Sequence, residues 1–146
     1  MSTATSSFAD SPLVGAILAA GRGDRMHSRN AWLPKTLLPI GGRPVLSHQL
    51  RLLRSLGVRR VVILVGHLKE RIVDYLETTR GLGLRVDLVE QTVLDGAGAG
   101  LLRLQPEVDR PFVLFLGDIF IRPLRLADLV EPVVRGECAA VLAVTM

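Results

Sequence analysis

The run Leu18-Ala19-Ala20-Gly21-Arg22-Gly23-Asp24-Arg25-Met26 follows directly on an apolar segment, and Pro34-Lys35 stands ten residues beyond Arg25. Leu37-Leu38-Pro39-Ile40 and Gly42-Arg43-Pro44 come next. Glycines allow backbone N–H groups to close on an anion, and an arginine and a lysine within reach add charge-assisted hydrogen bonds. Residues of these types suit a triphosphate.

Two further clusters complete the set. Phe112-Val113-Leu114-Phe115-Leu116-Gly117-Asp118 is an apolar strand pattern ending in Gly-Asp. A carboxylate there can hold a magnesium ion, which takes a few carboxylate oxygens together with substrate phosphates, or it can simply cap the turn. Glu90-Gln91, followed by Leu94-Asp95-Gly96, offers an amide that both donates and accepts, suited to the edge of a nucleobase. Gly96 then leaves backbone free to bond the same base, although Gly98 and Gly100 allow other registers.

The spacing G-x-G-x-R with P-K ten residues on, and G-x-P behind it, resembles the sugar-1-phosphate nucleotidylyltransferases, the NDP-sugar pyrophosphorylases. The amino-terminal part of glucose-1-phosphate thymidylyltransferases is especially similar. The resemblance implies a Rossmann-like three-layer α/β fold and magnesium-dependent transfer of a nucleotidyl group from an NTP to a sugar 1-phosphate, releasing pyrophosphate. It assigns Arg25 to the leaving pyrophosphate, Lys35 to the phosphates of both substrates and Asp118 to Mg2+. Leu18, Ala20, Gly21, Gly23, Gln91 and Gly96 become nucleotide-binding residues. Two positions depart from the pattern. Asp24 stands where threonine or serine is usual, and its charge repels phosphate unless it turns away or meets the metal. Ile119 stands where an asparagine often follows the aspartate.

These residues need elements that deliver them to one place. Strand-like and helix-like segments alternate, which predicts an α/β domain with a mainly parallel sheet. Strands are expected at Leu13 to Ala19, Arg60 to Val65, Arg85 to Val89, Phe112 to Leu116 and Ala139 to Thr145. Helices are expected at Val45 to Leu56, closed by Gly57, around Leu68 to Leu76, at Ala97 to Leu104 and at Leu126 to Val134, with a turn at Gly81 to Gly83. The unbroken apolar content of Val61 to Val65 suits a central strand covered on both faces. In such sheets ligands sit at the carboxyl ends of strands, where the Gly21 loop, Gln91 and Asp118 all fall.

With 49% hydrophobic and 22% charged residues, the chain reads as one globular domain over residues 13–146, preceded by a disordered tail, Met1 to Pro12. The tail lacks the basic start and apolar core of a signal peptide, and no apolar run is long enough for a membrane helix. A cytoplasmic protein with no membrane partner is the expectation. The net charge of +4 comes from scattered basic residues, and 4% aromatics leave little for base stacking, which argues against nucleic acid. Cys138 is the single cysteine and reads as a small buried residue; His27, His48 and His67 lack ligand spacing. Members of the resembling family are longer, so an amino-terminal fragment or degenerate copy is expected. A non-catalytic nucleotide- or NDP-sugar-binding module is the alternative, and a homo-oligomer is compatible with either. Met26 in place of a third glycine disfavours a dinucleotide-binding dehydrogenase, and the lack of Gly-Lys-Ser/Thr excludes a P-loop.

Overall fold

A computed structural model describes residues 11–21, 32–79, 82–93, 95–122 and 126–141. Four parallel strands, β1 (Val14–Leu18), β4 (Arg60–Val65), β5 (Arg85–Glu90) and β6 (Phe112–Leu116), form a sheet in the order β5-β4-β1-β6. β2 (Pro39–Ile40) and β3 (Arg43–Pro44) form a small antiparallel hairpin. Its two central residues, Gly41 and Gly42, have φ of 58° and 79°, the left-handed pair that a tight two-residue turn requires.

The helices are α1 (Val45–Ser55), α2 (Lys69–Thr78), α3 (Ala97–Leu104) and α4 (Leu126–Val134). Their amphipathic spacing decides which face each covers. Alternate residues of the central strands point to opposite sides. Ile17, Ala19, Val61, Ile63, Val65 and Phe115 join Leu46, Leu50 and Leu53 of α1, Ile72 of α2 and the partly buried Leu126 and Val130 of α4 in one core. Val14, Ala16, Val62 and Leu64 pack with Leu104 of α3 in a smaller second core. Val61 to Val65 are buried throughout, as a strand covered on both faces must be. A Cβ at Gly15 would lie 2.8 Å from Leu53 Cδ1, so the glycine lets α1 sit close to β1.

α1 ends in a Schellman turn: Gly57 at φ 83° allows its N–H to reach Arg54 O at 3.0 Å and Val58 N–H to reach Leu53 O at 3.1 Å. α4 ends likewise at Gly136, φ 71°, with Gly136 N–H on Val133 O and Glu137 N–H on Pro132 O.

Two expectations need correction. Ser11, expected in the tail, is buried, its Oγ within hydrogen-bond reach of Gly57 O at 2.9 Å and Leu13 O at 3.1 Å. Those two carbonyls sit at turn and strand ends where the ladder leaves them room for a side-chain donor. The last strand does not begin at Ala139: Ala139, Ala140 and Val141 are exposed and outside any strand, and β6 pairs only with β1 among the described residues. An exposed Ala-Ala-Val has no sheet neighbour to pack on, and propensity alone does not hold a strand. The rest of that segment, residues 142–146, lies outside the described residues, as do Met1 to Asp10 and Gly81.

Candidate functional site

The carboxyl ends of all four parallel strands open on the same end of the sheet. In spatial order they lead to Gln91 after β5, Gly66 after β4, Ala19-Ala20-Gly21 after β1 and Gly117-Asp118 after β6. The ladder runs past the strands: Gln91 N–H donates to Val65 O, Ala19 N–H to Leu64 O and Gly117 N–H to Leu18 O, each at 2.8 Å. A Cβ on Gly66 would come within 3.0 Å of Ala20 Cβ and Ala20 O, and one on Gly117 within 2.8 Å of Leu18 O. Two glycines therefore grip the exit of β1 from either side. The backbone at Ala20 is thereby held at a fixed point.

Asp118 is held just as firmly. The buried Gln49 of α1 donates from Nε2 to Leu116 O and to Ile119 O, both at 2.8 Å, so its amide spans the turn that carries the aspartate. Ile119 N–H on Leu116 O, 3.1 Å, closes the same turn. Lys35 arrives from another direction. It opens a 3-10 turn, Lys35–Leu37, pinned by Leu37 in the core and by Val45 N–H on Leu38 O at 3.1 Å. Its Nζ stands 3.7 Å from Asp118 Oδ2, with the lysine side chain 28% and the aspartate 50% exposed. At that distance the pair is an attraction and not a good hydrogen bond, so each group keeps capacity for another partner.

At the β5 end, Gln91 is 5% exposed, and its Nε2 donates to Asp95 Oδ1 at 2.9 Å and to Gly96 O at 3.4 Å. Arg103, on α3, meets Asp95 with both guanidinium nitrogens at 2.9 Å. The hydrogen bonds from Arg103, and then that from Gln91, pull the Asp95 carboxyl down from its ordinary value to about 2. Gly96 has φ 100°, a conformation L side chains rarely adopt, and starts α3.

Lys35 and Asp118 are thus brought together, and Gln91 and Gly96 are joined in a separate cluster on the same end of the sheet. Leu18 has its carbonyl committed to Gly117, Ala20 is buried against Gly66, and Gly21 is exposed with open space around its Cα. Gly23, Asp24, Arg25 and His27 lie outside the described residues. Among the described residues no three His, Cys, Asp or Glu side chains gather as a metal cluster. Asp118 is a single exposed carboxylate. His48 packs edge-on against Phe120, ring centroids 5.0 Å apart, with Nε2 2.9 Å from Ile40 O, and His67 is exposed. Cys138 is half-buried and not fully buried, because it follows Gly136 in a surface turn with exposed neighbours.

Two residues escape the sequence reading. Gln49 falls on the apolar stripe of α1 between Leu46 and Leu50, and a polar residue at such a position is a signal that a buried partner awaits it. Arg103 gives no such signal, since eight residues, a turn and a helix separate it from Asp95.

The profile of the MobA-like NTP transferase domain matches residues 15–146. A bifunctional protein GlmU from Methanocaldococcus jannaschii is 34% identical over 103 residues, covering 70% of this chain and 24% of its own. The UTP–glucose-1-phosphate uridylyltransferase AglF of Haloferax volcanii is 31% identical over 115 residues, covering 79% and 46%. Among solved structures, UDP-glucose pyrophosphorylase complexed with UDP-glucose superposes with a TM-score of 0.74 at 22% identity, covering 86% of this chain and 54% of the other. HddC from Yersinia pseudotuberculosis gives 0.72 at 24%, covering 82% and 53%. The chain spans about half the length of these solved chains, and a quarter to just under a half of the two relatives.

Proposed function

The chain belongs to the MobA-like NTP transferase domain family, and from that premise we propose that it carries the nucleotide-binding part of a nucleotidyltransferase. The reaction is transfer of a nucleotidyl group from an NTP to a sugar 1-phosphate, with release of pyrophosphate. The observation that carries this reading is the approach of Lys35 Nζ to Asp118 Oδ2, 3.7 Å, on the same end of the sheet as Gln91. A cation beside a carboxylate at strand ends suits a substrate that brings its own negative charge together with a divalent metal.

Such a transfer asks the protein to hold attacking phosphate, α-phosphorus and leaving group in line while charge is neutralised. Lys35 supplies positive charge to the phosphates from a turn fixed in the core. Arg25 acts on the leaving pyrophosphate from the glycine loop of Gly21 and Gly23, whose backbone N–H groups cradle the polyphosphate, and Leu18 and Ala20 shape the approach. Gln91 and Gly96 face the base. A lone half-exposed carboxylate fits Mg2+, which commonly takes one or two carboxylates and completes its shell with phosphates and water. Asp118 would hold it, and the ion would draw off phosphate charge. The same reading makes the protein cytoplasmic, meeting NTP and sugar 1-phosphate as free solutes; no described helix is long and apolar enough to cross a membrane.

Calorimetric titration with UTP or dTTP and magnesium tests the reading. Lys35→Ala should lose about 1.5 to 3 kcal/mol of binding, the usual worth of a charge-assisted hydrogen bond. Asp118→Asn should lose the magnesium-dependent increment. Arg59→Ala, at the other end of β4, should bind like the parent. Equal affinities in all four proteins would remove the site, and pyrophosphate release with a panel of sugar 1-phosphates would report the reaction itself.

A further inference from the structure

Gln91 is a buried amide at the carboxyl end of β5, and its surroundings allow it a single orientation. Both hydrogens of Nε2 point at acceptors, Asp95 Oδ1 at 2.9 Å and Gly96 O at 3.4 Å. A flipped amide would set Oε1 against a carboxylate oxygen and a carbonyl oxygen, and neither has a proton to share. Asp95 cannot swing away to relieve the clash, because Arg103 grips both of its oxygens at 2.9 Å. Gly100 stands beside the other end of the amide, and its missing side chain keeps Oε1 from being crowded: a Cβ there would stand 3.2 Å from Gln91 Oε1. Among the described residues no donor occupies Oε1.

We propose that Arg103 and Asp95 are positioning residues for base selection, fixing the Gln91 amide so that only its acceptor is offered to the nucleobase. The proposal rests on the nucleotide reading above and deepens it. An acceptor in that place favours a base edge that carries a ring N–H, such as N3–H of uracil or thymine. Cytosine presents a lone pair at the same ring position, and two acceptors then face each other. Neither Arg103 nor Asp95 touches the base; they act through Gln91. Lysine at position 103 keeps the charge but loses the planar fork that engages both carboxylate oxygens.

The test is the ratio of CTP to UTP dissociation constants, by calorimetry with magnesium, in the parent and in Arg103→Ala, Arg103→Lys and Asp95→Asn. The parent should favour UTP by about tenfold or more, the scale of one unmade buried hydrogen bond. Arg103→Ala and Asp95→Asn should lose most of that ratio, and Arg103→Lys should fall between. Both side chains are partly exposed, and matching melting temperatures would certify the fold. In the ligand-free parent, the Gln91 carboxamide should give two widely separated, sharp N–H signals that draw together in Arg103→Ala. A ratio unchanged in these variants, or a parent that binds UTP and CTP alike, would overturn the proposal while leaving nucleotide binding intact. Failure of the parent to bind any nucleotide would instead overturn the nucleotide reading and the proposal with it.

Discussion

A carboxylate that accepts hydrogen bonds from a guanidinium and an amide is stabilised in its charged form, and Asp95 accepts both. Its carboxyl is lowered to about 2 from an ordinary 3.8, chiefly by Arg103. Between those values the unfolded chain binds the proton and the folded chain does not, so the contribution of this group to stability is full above about 3.8 and disappears as pH falls through about 2. The carboxyl carbon shift of Asp95 should therefore remain that of an ionised group at pH values just below the ordinary 3.8, whereas in Arg103→Ala it should begin to titrate there. Identical titration in both proteins would deny Arg103 its part. At this scale the sequence exposes what is local. The placement of Lys35, Asp118, Gln91 and Gly96 at one end of the sheet is legible because each sits in a short motif next to a strand end or turn, whereas the contacts of Arg103 with Asp95 and of Gln49 with the Asp118 turn carry no such motif.

A helix rich in glycine raises the question of which glycines the fold needs, and α3 separates two cases. Gly98 has open space where a Cβ would go, while a Cβ on Gly100 would fall 2.7 Å from Leu64 Cδ2 as well as close to Gln91 Oε1. Leu64 is 1% exposed in the second core and has nowhere to retreat. Gly98→Ala should stabilise the protein by about 0.5 to 1 kcal/mol through helix propensity alone. Gly100→Ala should forfeit that gain to overpacking, which costs about 1 to 3 kcal/mol, and should weaken nucleotide binding by shifting Gln91. Urea unfolding of the two variants checks the first part and calorimetry the second; a Gly100→Ala protein as stable as Gly98→Ala would mean that α3 is not tightly seated. The same contrast explains what could be read of the elements. Arg60 to Val65, Ala97 to Leu104, Phe112 to Leu116 and Leu126 to Val134 coincide with the sequence expectation because periodicity and bounding turns agree there. At Ala139 only propensity spoke, and among the described residues Ala139 to Val141 have no sheet neighbour to hold a strand.

The parallel α/β architecture follows from alternation of strand and helix patterns, but the order β5-β4-β1-β6 does not, since crossover connections carry no mark of which strand they return beside. That order leaves the two faces of the sheet unequal among the described residues. α1, α2 and α4 contribute to one core, and α3 alone among the helices covers the other, packing over β1 and β4. Among the described residues β6 is an end strand of the sheet, and α3 packs mainly over β1 and β4. Its alternate residues Phe112, Leu114 and Leu116 point to that face and remain 44%, 37% and 41% exposed, while Phe115 on the other face is buried. Apolar side chains on an end strand form a surface that neighbouring molecules can pair with or pack on, and natural sheets commonly blunt it with lysine. The chain should therefore self-associate as its concentration rises. Leu114→Lys puts a charge at the centre of the stripe, at mid-strand and away from Gly117-Asp118, and should keep the chain monomeric with unchanged UTP affinity. Sedimentation velocity over a concentration series, paired with the UTP titration, reads both quantities. A parent that stays monomeric throughout, or a Leu114→Lys chain that associates as readily as the parent, would show that this stripe does not drive association.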